Sequence, residues 1–186
     1  MKKITISGLP GSGTTTVAKL LSEKLGWKLI SAGEVFRRLA MERGMTLEEF
    51  SQYAEENPDI DVYIDRMQRD LAEKEENVVV EGRLSGWMIK DAFKVWIYAD
   101  PEIRYERIAK REGIELSRAR VETKRREELE RRRYKKFYSI DIDDISVYHI
   151  AINSGLFKPE EIVEIILKAF ELMRRREDYQ KQQQKQ

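Results

Sequence analysis

The chain contains no cysteine. That absence excludes disulfide bridges, thiolate metal sites and thiol nucleophiles, and it suits a reducing compartment such as the cytoplasm. Histidine is nearly absent as well. The single one, His149, stands in an apolar, strand-like run (Val147-Tyr148-His149-Ile150), where a structural role suits it better than a ligand role. With no Cys and one His, a built-in transition-metal centre is disfavoured. No apolar run approaches the ~20 residues needed to cross a bilayer, and strand-like residues begin at Ile4, which leaves no room for a signal peptide. An excess of charge of one sign is missing too: Lys+Arg 35 against Asp+Glu 34 gives no global basic field of the kind that nucleic-acid binders carry. Neither a nucleic-acid nor a membrane partner is expected. The chain shows no Ser/His or paired-carboxylate set for nucleophilic or acid–base catalysis, and no internal repeat.

What is present begins at the N-terminus. Ser7-Gly8-Leu9-Pro10-Gly11-Ser12-Gly13-Thr14-Thr15 follows an apolar-alternating run (Ile4, Thr5, Ile6) and precedes a helical pattern. This is the frame of a phosphate-binding P-loop, Gly-x-x-x-x-Gly-Lys-[Ser/Thr], with Gly8, Gly13 and Thr15 at the required positions. Its glycines let successive backbone N–H groups face the phosphates of a nucleoside triphosphate, and the following helix adds its dipole. The Thr15 hydroxyl is placed to ligate Mg²⁺ carried by the nucleotide.

The lysine position, however, is Thr14. An ammonium ~4 Å from a phosphate oxygen is worth on the order of 4 kcal/mol at an effective dielectric of ~20, or roughly a thousandfold in rate. Lys19, five positions on, lies ~140° around the helix and cannot replace it. Charge must therefore come from elsewhere in the chain, unless the protein binds nucleotide without turning it over.

Arginines are the obvious source. In Arg126-Glu127-Glu128-Leu129-Glu130-Arg131-Arg132-Arg133, the residues Arg126, Glu130 and Arg133 share one helix face, and Arg107 and Arg111 share a face of the preceding helix. Guanidinium forks suit phosphate oxygens and cannot lose their charge. The alternative is a solvated, salt-bridged helix.

The rest of the pattern alternates strands with helices. Strands are expected at 4–6, Trp27 to Ile30, Val78-Val79-Val80, Val95 to Tyr98 and Val147 to Ile152. Helices are expected from Thr14 to Leu25, closed by Gly26, and from Gly33 to Gly44. Residues 46–76 read as helix broken at Asn57-Pro58. Further helices are expected over 101–112 behind Asp100-Pro101, over 117–138 as one helix or a pair, and from Pro159 to about Arg174. Residues 180–186 are Gln/Lys-rich and read as a disordered tail. Such alternation indicates a parallel sheet covered on both faces, with ligands at the C-terminal ends of the strands. The P-loop, Ser31-Ala32-Gly33, Glu81-Gly82-Arg83 and Asp100-Pro101 all fall at those ends.

With these motifs the chain resembles a nucleoside monophosphate kinase, and specifically the archaeal-type cytidylate kinases, over nearly its whole length. Ser31-Ala32-Gly33-Glu34-Val35-Phe36-Arg37 resembles the family's monophosphate-binding segment. Ile60-Asp61-x-x-Ile64-Asp65-x-x-Gln68 is similar to the segment beside the acceptor nucleoside, and Glu81-Gly82-Arg83-Leu84-Ser85-Gly86-Trp87 to a second acceptor motif. Arg126, Glu130 and Arg133 match an Arg-x-x-x-Asp-x-x-Arg pattern, with Glu in place of Asp.

The resemblance implies a three-layer α/β/α P-loop kinase fold with a five-stranded parallel sheet. Its core would be residues 1–32, 77–113 and 143–179, with an acceptor-binding flap at 33–76 and an arginine-rich lid at 114–142. It implies transfer of the ATP γ-phosphoryl group to CMP or dCMP by a cytoplasmic monomer with Mg²⁺. ATP would meet Ser7 to Thr15, Arg107 and Arg111. CMP would meet Ser31, Gly33, Arg37, Asp61, Arg83, Arg126, Glu130 and Arg133, and Arg107, Arg126, Arg133 and Thr15 would serve the transfer itself. An AMP, UMP or alcohol acceptor, or a nucleotide-gated binding protein, are the competing expectations. The pair Arg37 and Arg83 argues against a switch protein, which needs no second phosphate site.

Overall fold

The computed structural model describes residues 2–45, 47–57 and 59–183. Five strands, β1 (Lys3–Ser7), β2 (Lys28–Ser31), β3 (Val78–Glu81), β4 (Phe93–Tyr98) and β5 (Ile150–Asn153), form one parallel sheet in the order β2-β3-β1-β4-β5. Along the strands, side chains alternate between two buried faces. Val79, Val95 and Ile97 point with Ile4 and Ile6 toward α1 (Thr14–Leu25) and α8 (Pro159–Gln183), where Val17, Leu21, Ile162 and Ile166 complete the main core. Val78 and Val80 face the other way, against Ile30, Ala72 and Ile89, and Trp96 packs there with Leu84, Tyr134 and Ile142.

Register places the functional ends of the strands side by side. Ile6 pairs with Glu81, Ser31 pairs with the same Glu81, and Tyr98 pairs with Asn153. The P-loop, Ser31 and Glu81 are thus immediate neighbours, and Ser154 emerges beside the end of β4.

The remaining helices are α2 (Ala32–Glu42), α3 (Leu47–Glu56), α4 (Asp59–Lys74), the short α5 (Ser85–Met88), α6 (Pro101–Glu112) and α7 (Leu116–Tyr138). Helices α2 to α4 enclose a small core of their own around Phe50, with Val35, Leu39, Ile60 and Ile64. Helix α6 starts as Asp100-Pro101 suggests: the Asp100 carboxylate accepts from Glu102 N at 2.9 Å, which satisfies an orphan first-turn donor.

The structure decides between the alternatives left open for α7 and departs from the sequence reading in the three respects that follow it. Helix α7 is one continuous helix of 23 residues, and α5 was not expected. Strand β5 begins at Ile150 rather than Val147, because turns bonding Ser146 N to Asp144 and Tyr148 N to Ile145 O occupy the preceding residues. Helix α8 passes its expected end near Arg174 and reaches Gln183; residues 184–186 of the expected tail lie outside the described residues, as does Pro58. Among the described residues no helix is long and apolar enough to cross a membrane.

Candidate active site

The P-loop is laid tightly on the structure behind it. A Cβ at Gly8 would lie 2.2 Å from Ile97 O, and one at Gly11 (φ +79°) would lie 2.5 Å from Arg104 O; neither position admits a side chain. Ser12 N donates to Leu9 O at 3.2 Å. The other loop carbonyls face outward: Gly8 O accepts from Arg83 Nη1 at 2.9 Å, Pro10 O from Arg104 Nη1 at 2.9 Å, Gly11 O from Arg107 Nη1 at 3.3 Å and Ser12 O from Ser154 Oγ at 2.7 Å. The amides of Leu9, Gly11 and Gly13 meet no protein acceptor among the described residues. Together with the first-turn amides of α1 they form a concavity of unpaired donors, the form of an anion site. Ser7 is turned into the fold, where its Oγ lies 2.8 Å from Ser85 Oγ and accepts from Gly86 N at 3.1 Å.

Position 14 has an occupation of its own. Thr14 is buried and donates to Glu81 Oε1 at 2.8 Å, while the exposed Thr15 approaches the same oxygen at 3.4 Å and Ser31 donates to Glu81 Oε2 at 2.7 Å. Glu81, 6% exposed, is therefore a buried carboxylate satisfied by hydroxyls rather than by a cation. One side chain joins the P-loop to the start of α2. The sequence placed Glu81 in a motif but did not single it out, because this convergence depends on strand register.

On the α6 flank, Arg107 binds the β5–α8 loop as well as the P-loop, through Ser154 Oγ at 2.9 Å and Ser154 O at 2.8 Å. Arg111 pairs with Glu112 at 2.7 Å and, with Gly11, Gly13, Arg107, Ser154 and Phe157, lines a cavity of about 300 Å³. Ser154 and Phe157 were missed from the sequence. So was Arg104, a residue 4% exposed whose guanidinium also pairs with buried Glu127 of α7. It lies three residues before Arg107 on the same helix face, so the spacing that selected Arg107 and Arg111 also contained it.

On the α2 flank, Arg37 is exposed and has no ion-pair partner among the described residues. Its Nη1 lies 3.5 Å from where a Cβ on Gly33 would be, over the start of α2. The other expected arginines are engaged. Glu130, buried on α7, accepts from Arg83 Nε at 3.1 Å and Arg126 Nε at 2.9 Å. Burial pushes the Glu130 carboxyl up, but the two guanidiniums outweigh it and hold the group below the usual carboxylate range. Arg133 Nε lies 2.6 Å from Asp61 Oδ2, an ion pair whose N–H is not aimed at the oxygen. Burial raises Asp61, against the pull of Arg133. Asp65 Oδ2 accepts from Tyr138 OH at 3.1 Å, and burial pushes its carboxyl up to about 7. The sequence placed Asp65 in a motif without assigning it a contact, and Tyr138 was missed.

Helix α7 thus reaches, in order, the underside of the P-loop through Glu127, the β3 end through Glu130 and α4 through Arg133 and Tyr138. A single helix spans the anion concavity and the neighbouring arginine-lined cleft. Arrangements of this kind can hold two phosphorylated ligands close together and keep water from between them.

Residues 3–156 match the sequence profile of the cytidylate kinase-like family. A cytidylate kinase of Archaeoglobus fulgidus is 69% identical, over 91% of this chain and 95% of its own length. One of Methanococcoides burtonii is 51% identical over 90% of this chain and 96% of its own, and one of Pyrococcus horikoshii is 48% identical over 90% and 88%. Among solved structures, a gluconokinase from Sinorhizobium meliloti superposes with a TM-score of 0.63 at 16% identity, covering 96% of both chains. A shikimate kinase from Acinetobacter baumannii superposes with a TM-score of 0.61 at 17% identity, covering 91% of this chain and 93% of its own. At such identities the likeness concerns the fold alone, which is that of the P-loop kinases.

Proposed function

The chain belongs to the cytidylate kinase-like family, and we propose from that premise that it transfers the γ-phosphoryl group of ATP to CMP or dCMP, releasing ADP and CDP or dCDP. The observation that carries this reading is the pair of anion-binding regions flanking Glu81. On one side are the unpaired P-loop amides, and on the other are Arg37 and Arg83. An alcohol acceptor would leave at least one of these arginines without a purpose.

The donor triphosphate lies in the P-loop, and its nucleoside takes the cavity of about 300 Å³ between Arg107, Arg111 and Phe157. The acceptor phosphate is held by Arg37 and Arg83. Ser31, Gly33, Asp61, Arg126, Glu130 and Arg133 line the remainder of its site. Arg83 touches both the P-loop carbonyl of Gly8 and Glu130, so it stands where the two phosphates converge. An acceptor phosphate oxygen is already anionic near neutral pH and attacks the γ-phosphorus in line, with no side-chain base required. The protein contributes positioning and charge neutralisation.

Mg²⁺ fits the donor set present. Thr15 Oγ1 and the Glu81 carboxylate, 3.4 Å apart, are hard oxygen donors. One hydroxyl beside one carboxylate suits an ion that keeps most of its phosphate and water ligands. When bound, the ion neutralises charge on the donor's phosphate oxygens. Thr15 and Glu81 would hold it.

Residues 33–76 form the acceptor flap in this account and 114–142 the lid, whose helix α7 excludes water from the transfer. A single chain carries both phosphate sites, so a monomer suffices. The lack of cysteine suits a reducing cytoplasm.

The test is a coupled ADP-release assay with ATP and each of CMP, dCMP, UMP, AMP and GMP. CMP and dCMP are expected to drive ADP formation, and EDTA to abolish it. Absence of acceptor-dependent ADP with every nucleotide would defeat the proposal.

A further inference from the structure

We propose that Arg104 is a positioning residue for the donor triphosphate. Buried beneath the P-loop, it turns the Pro10–Gly11 peptide so that Gly11 N–H faces the ligand. Together with Arg83, Arg107 and Ser154, it supplies by preorganisation part of what a lysine at position 14 would supply by charge. The inference rests on the proposed use of the loop for ATP.

A peptide unit is planar, and in the trans form its C=O and N–H point in opposite directions; among the described residues there is no cis peptide. Fixing a carbonyl on the outer side of a loop therefore aims the next residue's N–H inward. Four P-loop carbonyls are fixed in this way: Gly8 by Arg83, Pro10 by Arg104, Gly11 by Arg107 and Ser12 by Ser154. Their partner amides belong to Leu9, Gly11, Ser12 and Gly13. Ser12 N closes an internal turn onto Leu9 O, and the other three are the unpaired donors. The outer contacts and the inner concavity are two faces of the same peptides.

Among the four clamps Arg104 is the one that acts purely through the loop. It is 4% exposed and lies behind the backbone, with Gly11 so close that a Cβ there would meet Arg104 O at 2.5 Å. Its Nη1 donates both to Pro10 O and to Glu127, and Glu127 is itself 5% exposed. A buried ion pair of this kind is often no more stabilising than apolar side chains of similar volume, so its presence is better explained by what Arg104 holds. Orientation of loop dipoles before the ligand arrives avoids reorganisation on binding, which is how a loop without a lysine can still grip a triphosphate.

The measurement is calorimetric binding of inorganic tripolyphosphate, ADP and ATP, each with Mg²⁺, to the full chain and to R104Q, E127Q and the double variant R104M/E127M. The double variant removes both charges together, so no orphaned carboxylate confounds its folding. Tripolyphosphate and ATP are expected to bind at least tenfold more weakly to R104Q and to the double variant. ADP should lose less, and E127Q no more than threefold, because its guanidinium can still hold Pro10 O. If Arg104 merely packs α6 against α7, tripolyphosphate affinity in the double variant will equal that of the unmodified chain, or R104Q and E127Q will lose it equally. Either result overturns the proposal. Failure of the unmodified chain to bind ATP or tripolyphosphate would instead overturn the kinase reading on which the proposal rests.

Discussion

Replacing Thr14 and Thr15 in turn by valine separates two hydroxyls that approach the same carboxylate oxygen. Valine preserves the β-branched shape and removes only the donor. Thr14 is buried and gives Glu81 a hydrogen bond of 2.8 Å. Loss of a bond to a buried charged acceptor costs ~2 kcal/mol, which lowers Tm by roughly 4–8 °C in a domain of this size. Thr15 is exposed and stands 3.4 Å from the same oxygen. Its removal is expected to cost under ~0.5 kcal/mol, as for an ordinary surface substitution, and to shift Tm by about 2 °C or less. Activity should invert that order. Thr15 is the residue assigned to the metal–nucleotide, so T15V is expected to lower kcat about 100-fold, equivalent to ~2.7 kcal/mol of transition-state stabilisation. T14V should lower kcat less than tenfold. T15S, which keeps the hydroxyl, should recover most of the loss. Differential scanning fluorimetry and the coupled assay provide the two readouts. Equal Tm shifts for T14V and T15V, or wild-type kcat in T15V, would refute the assignment of the two hydroxyls.

Arg37→Ala is expected to raise KM for CMP at least tenfold with Tm and KM for ATP unchanged, because Arg37 is exposed and unpaired among the described residues; an equal rise in KM for ATP would contradict its place in the acceptor site. Arg133→Ala should lower kcat more than it raises KM for ATP, and a change in KM alone would remove Arg133 from the transfer step. Asp65 predicts a pH effect. Its folded carboxyl titrates at about 7 against an ordinary value of 3.8, so between those values the folded state binds the extra proton. Stability from this group is present below about pH 4, falls as pH rises toward 7 by at most ~4 kcal/mol, and is flat above. In chemical denaturation, Asp65→Asn should flatten the curve over pH 4–7; an unchanged slope would show that burial does not govern Asp65.

The residues that were legible from the sequence are those whose partners are local or whose geometry is set by the backbone. The P-loop glycines, the Asp100-Pro101 helix start and the i,i+4 pairing of Arg126 with Glu130 needed only short-range rules, and the last is present at 2.9 Å. Arg133 shows the limit. It shares a helix face with Glu130, yet its carboxylate is Asp61 on α4, 2.6 Å away. Helical spacing identifies which residues share a face but not what that face meets.

The hydroxyl cluster on Glu81 was out of reach for a related reason, since it depends on the register that sets Ile6 and Ser31 opposite the same residue. Thr14 is the residue whose meaning changed most. In the sequence it is a missing cation, whereas in the fold it is a donor that satisfies a buried carboxylate. Three guanidiniums hold carbonyls of the loop from outside, those of Arg83, Arg104 and Arg107, an arrangement that no linear motif encodes.

Transfer of label from [γ-³²P]ATP in the presence and absence of CMP tests the central claim most directly. If the two phosphate sites flanking Glu81 form one transfer centre closed to water, the label will appear in CDP, with release as inorganic phosphate slower by orders of magnitude and not dependent on CMP. Label released as inorganic phosphate at the same rate with or without CMP, and none in CDP, would contradict the account.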